Sequence, residues 1–351
     1  MSDLITLLRN KTCWVKYSKK YDENWTPGNA LQMSDEELLE NVIELNCVGC
    51  QLTSLTHLPN CRILICSNNQ LSSLPQLSNC TKLICDTNQL TSLPQLPNCT
   101  ELLCGNNQLT NLPQLPNCTD LTCNNNQLTS LPQLSNCQLL YCLNNQLTSL
   151  PQLPNCTKLI CNNNQLTSLP HLPNCQQLNC ENNQLTSLPQ LPNCTYLTCN
   201  NNQLTSLPQL PNCKWLECSN NQLTSLPQLP NCTHLYCNNN QFGSLPQLPN
   251  CKWLFCSNNQ LISLPVLNNL YLYSCDWSNN CLPFDELDKW KIVWKVRRLY
   301  LQLKYFRLWY KFMLQSKANK KYELHNELKY SPDLPFYKNT EEYDHWHNCL
   351  Q

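Results

Sequence analysis

The sequence predicts an α/β solenoid in which each coil of 19 residues contributes one short parallel strand. A 19-residue unit recurs without any change of phase, and a fixed period of this length is typical of stacked coils. Within each unit, a segment such as Lys158-Leu159-Ile160 has the alternation of a strand. The other half of the unit carries paired prolines, which exclude a helix there. The residue that closes the unit lies at Leu52, Leu71, Leu90, Leu109, Leu128, Leu147, Leu166, Leu185, Leu204, Leu223, Phe242 and Leu261.

The spacing apolar-x-x-Leu-x-apolar-x-x-Asn-x-Leu, repeated between residues 42 and 282, resembles the leucine-rich repeat family. Cysteine occupies two positions of the unit that usually hold leucine. The return segment Leu-Pro-Gln-Leu-Pro-Asn resembles the short leucine-rich repeats of bacterial effector proteins. That resemblance implies an extended convex side in place of helices.

Each predicted strand is centred on a leucine, and an asparagine follows each strand at the turn. An amide at a buried corner can donate to and accept from backbone groups that the strand no longer pairs. Cys50 takes this position in the first coil, where it can do so only weakly. The asparagines are Asn69, Asn88, Asn107, Asn126, Asn145, Asn164, Asn183, Asn202, Asn221, Asn240 and Asn259.

The flanks of the solenoid predict a helical cap at each end. We divide the chain into an N-terminal segment with a cap helix (1–41), the solenoid (42–282) and a C-terminal cap with a tail (283–351). Ser34 and Glu37 form a capping-box pattern that predicts a short helix. Residues 1–33 show no clean periodicity and receive no role. From Phe284 to Lys317, apolar residues recur every three or four positions and predict one long helix whose apolar seam covers the last coil.

Most of the 28 cysteines belong to two rows that repeat at 19 residues, from Cys61 to Cys251 and from Cys47 to Cys275. These are inward positions, where a free cysteine behaves as a small buried hydrophobe. The alternative, a metal or redox site, needs close clusters such as Cys-x-x-Cys, and Cys47-Val-Gly-Cys50 is the only one. We therefore predict neither a metal site nor a cofactor.

The sequence offers little to a catalytic mechanism. It has six histidines, four glycines and no glycine-rich phosphate loop, and acidic residues in the repeats are scattered. We predict that the protein is not an enzyme. The first residues contain no signal-peptide pattern and no run approaches a membrane span, so we expect an intracellular protein. Residues 327–339 resemble C-terminal tails of proteins from large DNA viruses of amoebae, which implies the host cytoplasm.

The predicted function is the binding of a protein partner on the concave parallel sheet. Residues before and after each central leucine point outward, and aromatic side chains gather there on the last four coils. Exposed tryptophan and tyrosine are typical hot-spot anchors. Two alternatives remain: the C-terminal region folds back over this surface, or the sequence there has drifted. The six residues, called the aromatic patch below, are Tyr196, Trp215, His234, Tyr236, Trp253 and Phe255.

A second hypothesis concerns the predicted long helix. Residues 285–321 hold eleven basic and three acidic side chains, with aromatic residues between them. A basic, aromatic, amphipathic helix can lie on an anionic membrane, bind nucleic acid or enter a helix-binding groove. In the alternative interpretation, its apolar seam covers the solenoid and its lysines face water. The sequence names neither the partner nor the oligomeric state.

Overall fold

The computed structural model describes residues 4–10, 13–17, 34–267, 269–270, 275–283 and 287–314. The chain divides into two compact units, Met1–Pro283 and Phe284–Gln351. The first unit begins with α1 (Leu4–Asn10), β1 (Trp14–Tyr17), α2 (Asp35–Glu40) and β2 (Val42–Asn46). The N-cap residue of α2 is Ser34, as the capping-box pattern predicted, since the Glu37 amide donates to Ser34 Oγ at 3.1 Å.

The first unit is a solenoid with one sheet of 14 strands, in chain order. From β2 onward the strands are parallel and in register, so that Leu197 pairs with Leu178 on one side and Leu216 on the other. The predicted coils of 19 residues are therefore confirmed. The remaining strands are β3 (Ile63–Ile65), β4 (Lys82–Ile84), β5 (Glu101–Leu103), β6 (Asp120–Thr122), β7 (Leu139–Tyr141), β8 (Lys158–Ile160), β9 (Gln177–Asn179), β10 (Tyr196–Thr198), β11 (Trp215–Glu217), β12 (His234–Tyr236), β13 (Trp253–Phe255) and β14 (Cys275–Asp276).

The N-terminal end of the sheet has an element that the sequence did not reveal. Strand β1 pairs with β2 in antiparallel fashion, and Val15 lies opposite Leu45. An ion pair of 2.9 Å between Lys16 Nζ and Glu44 Oε1 joins the two strands. A second ion pair, between Arg9 and Asp35, joins α1 to α2. Residues 1–33 thus contribute a helix and a terminal strand in the parts that are described.

Leucine and cysteine side chains fill the interior of the coils. Apart from Cys275, which is half-buried, both cysteine rows are buried and consist of free thiols. Burial raises the pKa of Cys99 to about 11 and that of Cys80 to about 12, because the interior disfavours a thiolate. The structure agrees with the interpretation of both rows as small hydrophobes.

The predicted asparagines join neighbouring coils. Asn164 Nδ2 donates to the carbonyl oxygens of Cys142 and Cys161, at 3.0 and 3.1 Å. Its Oδ1 accepts the Leu147 amide at 3.0 Å. The same pattern recurs along the stack, whereas at the equivalent position of the first coil the Cys50 thiol donates to the Val48 carbonyl at 3.7 Å.

A second asparagine, immediately before the first in most coils, has a separate role. Asn163 adopts a left-handed backbone with φ of 57°, a region that asparagine enters more readily than most residues. Its side chain donates to Asn144 Oδ1 at 2.6 Å and accepts from Asn182 at 2.7 Å. This outer row was not predicted, although the Asn-Asn pair that forms it is visible in the sequence of most coils.

The second unit contains α3 (Leu287–Leu314) within the predicted helical range. Trp290 and Trp294 are buried on one side of α3, with ring centroids 6.2 Å apart. Five members of the predicted apolar seam are exposed: Ile292, Val296, Leu299, Leu303 and Phe306. These five side chains were expected to be buried, and the structure corrects that expectation because the two tryptophans occupy the buried face. Residues 315–351, which include the stretch 327–339 and the end of the predicted long helix at Lys317, lie outside the described residues.

Candidate functional site

The outward face of the sheet is set by the alternation of each short strand. In β11 the central Leu216 is buried, whereas Trp215 and Glu217 on either side are half-buried. The same pattern occurs in β12 and β13. Because adjacent strands are parallel and in register, equivalent side chains stand one strand spacing apart, about 4.8 Å. Flat rings at equivalent positions can therefore stack directly on one another.

Three rings of the aromatic patch form a continuous stack. The ring centroids of Trp215 and His234 are 4.2 Å apart with an interplanar angle of 19°. Those of His234 and Trp253 are 4.0 Å apart at 11°. His234 is thus held between two indoles, and both faces of its ring are covered.

A second pair of rings lies beside the stack, in the row after the central leucine. Tyr236 and Phe255 stack at 5.1 Å with an angle of 4°. Tyr236 also approaches Trp215 at 5.7 Å in a tilted arrangement. The two rows therefore form one cluster of five rings. Tyr196 lies next to Trp215 in register and is 47% exposed, so all six predicted residues occupy adjoining positions on one surface.

Glu217 belongs to this cluster, although it is not among the six residues predicted for the site. Its Oε1 accepts a 2.6 Å hydrogen bond from Trp215 Nε1, and its Oε2 accepts from Asn200 Nδ2 at 3.1 Å. The carboxylate fixes the orientation of the first indole in the stack. Its position two residues after Trp215, on the same strand face, was the signal that could have identified it.

Charge and burial shift two pKa values inside the patch. The pKa of His234 is lowered, first by burial and then by the nearby Lys252 ammonium. The pKa of Tyr236 is raised, first by burial and then by the Glu217 carboxylate. Thr233 Oγ1 lies 2.8 Å from His234 Nδ1 and holds the imidazole edge. At neutral pH the stack is therefore uncharged, with one carboxylate at its border.

The earlier coils present a different face. An ion pair of 2.9 Å joins Lys82 of β4 to Glu101 of β5. Farther along, Lys158 lies over the Tyr141 ring at 5.3 Å. These are isolated polar contacts between neighbouring coils, in contrast to the continuous ring cluster of the last coils.

Two adjoining shallow pockets form a groove along the edge of the coils and are lined mostly by asparagine, threonine and glutamine, with Glu40, Arg62 and Lys214 as isolated charged residues. Its side chains are engaged within the fold: Asn117 Nδ2 donates to the Pro97 carbonyl at 2.9 Å. Thr119 Oγ1 donates to the Thr100 carbonyl at 3.1 Å. The groove is therefore a product of coil stacking, and its lining has no acid-base or nucleophilic constellation.

In the described parts of the chain, histidine, cysteine and acidic side chains form no group of three or more that could hold a metal ion. Among the described helices, none is long and apolar enough to cross a membrane.

The solenoid is similar to solved structures of repeat proteins. YopM from Yersinia enterocolitica WA-314 is 34% identical over 68% of this chain and 60% of its own, with a TM-score of 0.58. YopM from Yersinia pestis, described as a leucine-rich effector protein, is 30% identical over 70% of this chain and 84% of its own, with a TM-score of 0.55. The chain thus spans less than two thirds of the first of these proteins.

A third similar structure is the leucine-rich repeat ectodomain of the plant membrane receptor kinase GASSHO1/SCHENGEN3 from Arabidopsis thaliana, in complex with CASPARIAN STRIP INTEGRITY FACTOR 2. It is 26% identical over 69% of this chain and 36% of its own, with a TM-score of 0.50. No family model matches the sequence, and no curated protein matches it either.

Proposed function

Since this chain belongs to the leucine-rich repeat proteins, we propose that it binds a protein partner on its parallel sheet through the aromatic patch. One observation carries the proposal: five rings of β11, β12 and β13 form a single stacked cluster on the outward face. Two similar proteins support a binding role, one being an effector and the other having been solved in complex with a factor.

Stacking prepares the patch for binding. A tryptophan or tyrosine buries much apolar area while few torsions have to be fixed. Here neighbouring rings already restrict the torsions of Trp215 and Trp253, and Glu217 fixes one indole further. The entropy lost on binding is therefore smaller than for isolated side chains.

The stack also defines which groups a partner meets. The faces of His234 are covered by indoles, so a partner approaching from solvent meets ring edges. Ring edges carry the positive end of the aromatic quadrupole and pair well with the face of another aromatic ring. Glu217 at the border adds one negative charge for a basic side chain. We therefore expect a partner that presents aromatic rings together with at least one lysine or arginine.

The proposal assigns the chain no reaction of its own. The buried thiol rows support an intracellular location, because stacked cysteines one strand spacing apart are within disulfide reach and persist as thiols in a reducing compartment. Four expectations stay predictions. They are the viral origin suggested by residues 327–339, a location in the host cytoplasm, the extended convex side, and a helical cap at each end of the solenoid.

The test is a double substitution, Trp215→Ala with Trp253→Ala, in the full chain. We expect it to lower partner capture by at least about tenfold, since hot-spot residues contribute about 2 kcal/mol or more each. Proximity labelling and crosslinking in cells would identify the partner and map its contacts. The melting temperature should change little, because both indoles lie outside the core.

A matched control replaces the equivalent strand positions of earlier coils, Leu139→Ala with Gln177→Ala. These residues are also two coils apart and precede the central leucine of their strands. Capture should be unaltered in the control. Equal capture by the tryptophan variant and the wild type would place the partner elsewhere, and a large fall in melting temperature would mean that the patch is covered within the chain.

A further inference from the structure

The exposed side of α3 carries an apolar stripe of four aliphatic residues. Ile292, Val296, Leu299 and Leu303 are 63%, 58%, 49% and 58% exposed. Their spacing of four, three and four places them on one face of the helix, over a length of about 17 Å at 1.5 Å per residue. A continuous exposed row of large aliphatic side chains marks an interaction surface.

The stripe lies opposite the buried face of the helix. At about 100° per residue, the centre of the stripe is roughly half a turn away from Trp290 and Trp294, which are 3% and 8% exposed. The tryptophan side of the helix is therefore buried, whereas none of the described residues covers the stripe.

The charge of α3 distinguishes between the molecules that could cover the apolar stripe. The 28 residues of α3 contain eight lysines and arginines and one aspartate, a difference of seven positive charges. Exposed Lys295 and Arg307 lie about 60° on either side of the stripe. A second copy of α3 would bring two strongly positive surfaces together, which like-charge repulsion disfavours. The occupant must combine an apolar region with negative charge on both sides.

We propose that α3 lies on an anionic lipid surface, with the stripe among the acyl chains and Lys295 and Arg307 at the headgroups. An apolar face bordered by basic residues is typical of interfacial helices. Tyr300, which is 65% exposed beside the stripe, has the amphipathic ring that favours the headgroup level. A nucleic acid would pair with the basic residues but would leave the aliphatic stripe in water. This inference does not depend on the aromatic patch.

The experiment is vesicle flotation with the full-length protein. Vesicles of phosphatidylcholine containing roughly a third phosphatidylserine, the anionic lipid of cytoplasmic leaflets, should carry the protein upward. Pure phosphatidylcholine vesicles or high salt should weaken flotation strongly, because the electrostatic attraction is absent or screened. Absence of flotation with the anionic vesicles would overturn the proposal.

Two variants separate the apolar contribution from the charge. Leu299→Gln with Leu303→Gln keeps helix propensity and should lower the partition coefficient about 100-fold, since two leucines no longer enter the acyl region. Lys295→Gln with Arg307→Gln should lower it about 30-fold, at roughly fivefold per basic residue. Circular dichroism verifies that each variant is folded.

Two controls keep the result specific. Ile262→Gln removes an exposed aliphatic residue of the solenoid and should leave flotation unchanged. The Trp215→Ala, Trp253→Ala variant should also float normally, so failure of the protein-binding proposal is distinguishable from failure of this one. Flotation unaffected by Leu299→Gln with Leu303→Gln would refute the stripe as the contact. A concentration-dependent dimer lost in that variant, or RNA binding in place of lipid binding, would assign the surface to another occupant.

Discussion

The interior of the solenoid and the outward face of its sheet follow different rules. Inside, leucine, cysteine and asparagine recur at fixed positions, because each coil must fit the next one and a change in one affects two interfaces. On the face, the residue before the central leucine ranges from Lys158 to Trp253 along the stack. The positions that repeat are therefore those that stabilise the fold. The positions that vary along the stack are those at which partner specificity can arise.

The largest expected difference between the two regions is their response to alkaline pH. Burial raises the pKa of the interior thiols from 9.0, to about 11 for Cys175 and about 12 for Cys156. The raised folded-state pKa means that their stabilising effect is complete below about pH 9 and is lost as pH rises, because unfolded thiols ionise first. Each thiol lowers the free energy of unfolding by about 1.4 kcal/mol per pH unit in this window.

About two dozen such thiols would together exceed the 5–15 kcal/mol that stabilises a typical domain. We expect cooperative unfolding within about one pH unit above pH 9. Far-ultraviolet circular dichroism in the presence of a reductant monitors this transition. Cys281→Ala, at an exposed thiol, is the control and should not change the steepness of the transition. A spectrum unchanged to pH 11 would show that the thiol rows do not govern alkaline stability.

The second contrast compares two adjacent asparagines, one interior and one exposed. Asn164→Ala leaves the Leu147 amide and two carbonyl oxygens without their partner, so we expect a loss of about 3 kcal/mol or more. Asn163→Ala loses two exposed side-chain hydrogen bonds, to Asn144 and from Asn182, together with the ease of the left-handed backbone, so we expect a smaller loss of about 1–2 kcal/mol. Asn163→Gly lacks the same hydrogen bonds but permits that backbone, so it should cost less than Asn163→Ala. Urea denaturation measures all three, and equal losses at both positions would contradict the division between inside and outside.

The difference between the interior and the outward face explains which parts of the structure could be predicted from the sequence. The repeat period predicted the strands, the thiol rows and the corner asparagines, because interior contacts depend on residue type and spacing. Strand β1 was missed, since Trp14–Tyr17 carries no repeat and pairs with β2 across a long gap in sequence. The apolar seam of α3 was recognised, but its exposure was not, because the periodicity of one helix cannot say which of two apolar sides is covered.

The candidate site could likewise be predicted only in part from the sequence. The two rows of outward residues identified all six members of the aromatic patch. Their stacking geometry and the hydrogen bond from Trp215 to Glu217 could not be predicted, because side-chain torsions on an open face are set by neighbours rather than by spacing.

The smallest effect, and the most direct probe of the face, is the titration of His234. Burial between two indoles and the charge of Lys252 lower its pKa from 6.5, while an imidazolium held against indole faces gains a cation–π attraction that acts in the opposite direction. A lowered folded-state pKa means that the unfolded chain takes up the proton first, so the contribution of His234 to stability is complete above about pH 6.5 and decreases as pH falls.

We expect nuclear magnetic resonance titration to give a pKa of His234 below 6.5. Trp215→Ala with Trp253→Ala should move this pKa upward, because the imidazole ring becomes hydrated. Lys252→Ala should move it upward by less, since burial is the larger cause. A pKa above 6.5 in the wild type that falls when the indoles are removed would mean that the rings stabilise the charged imidazolium, which contradicts the prediction.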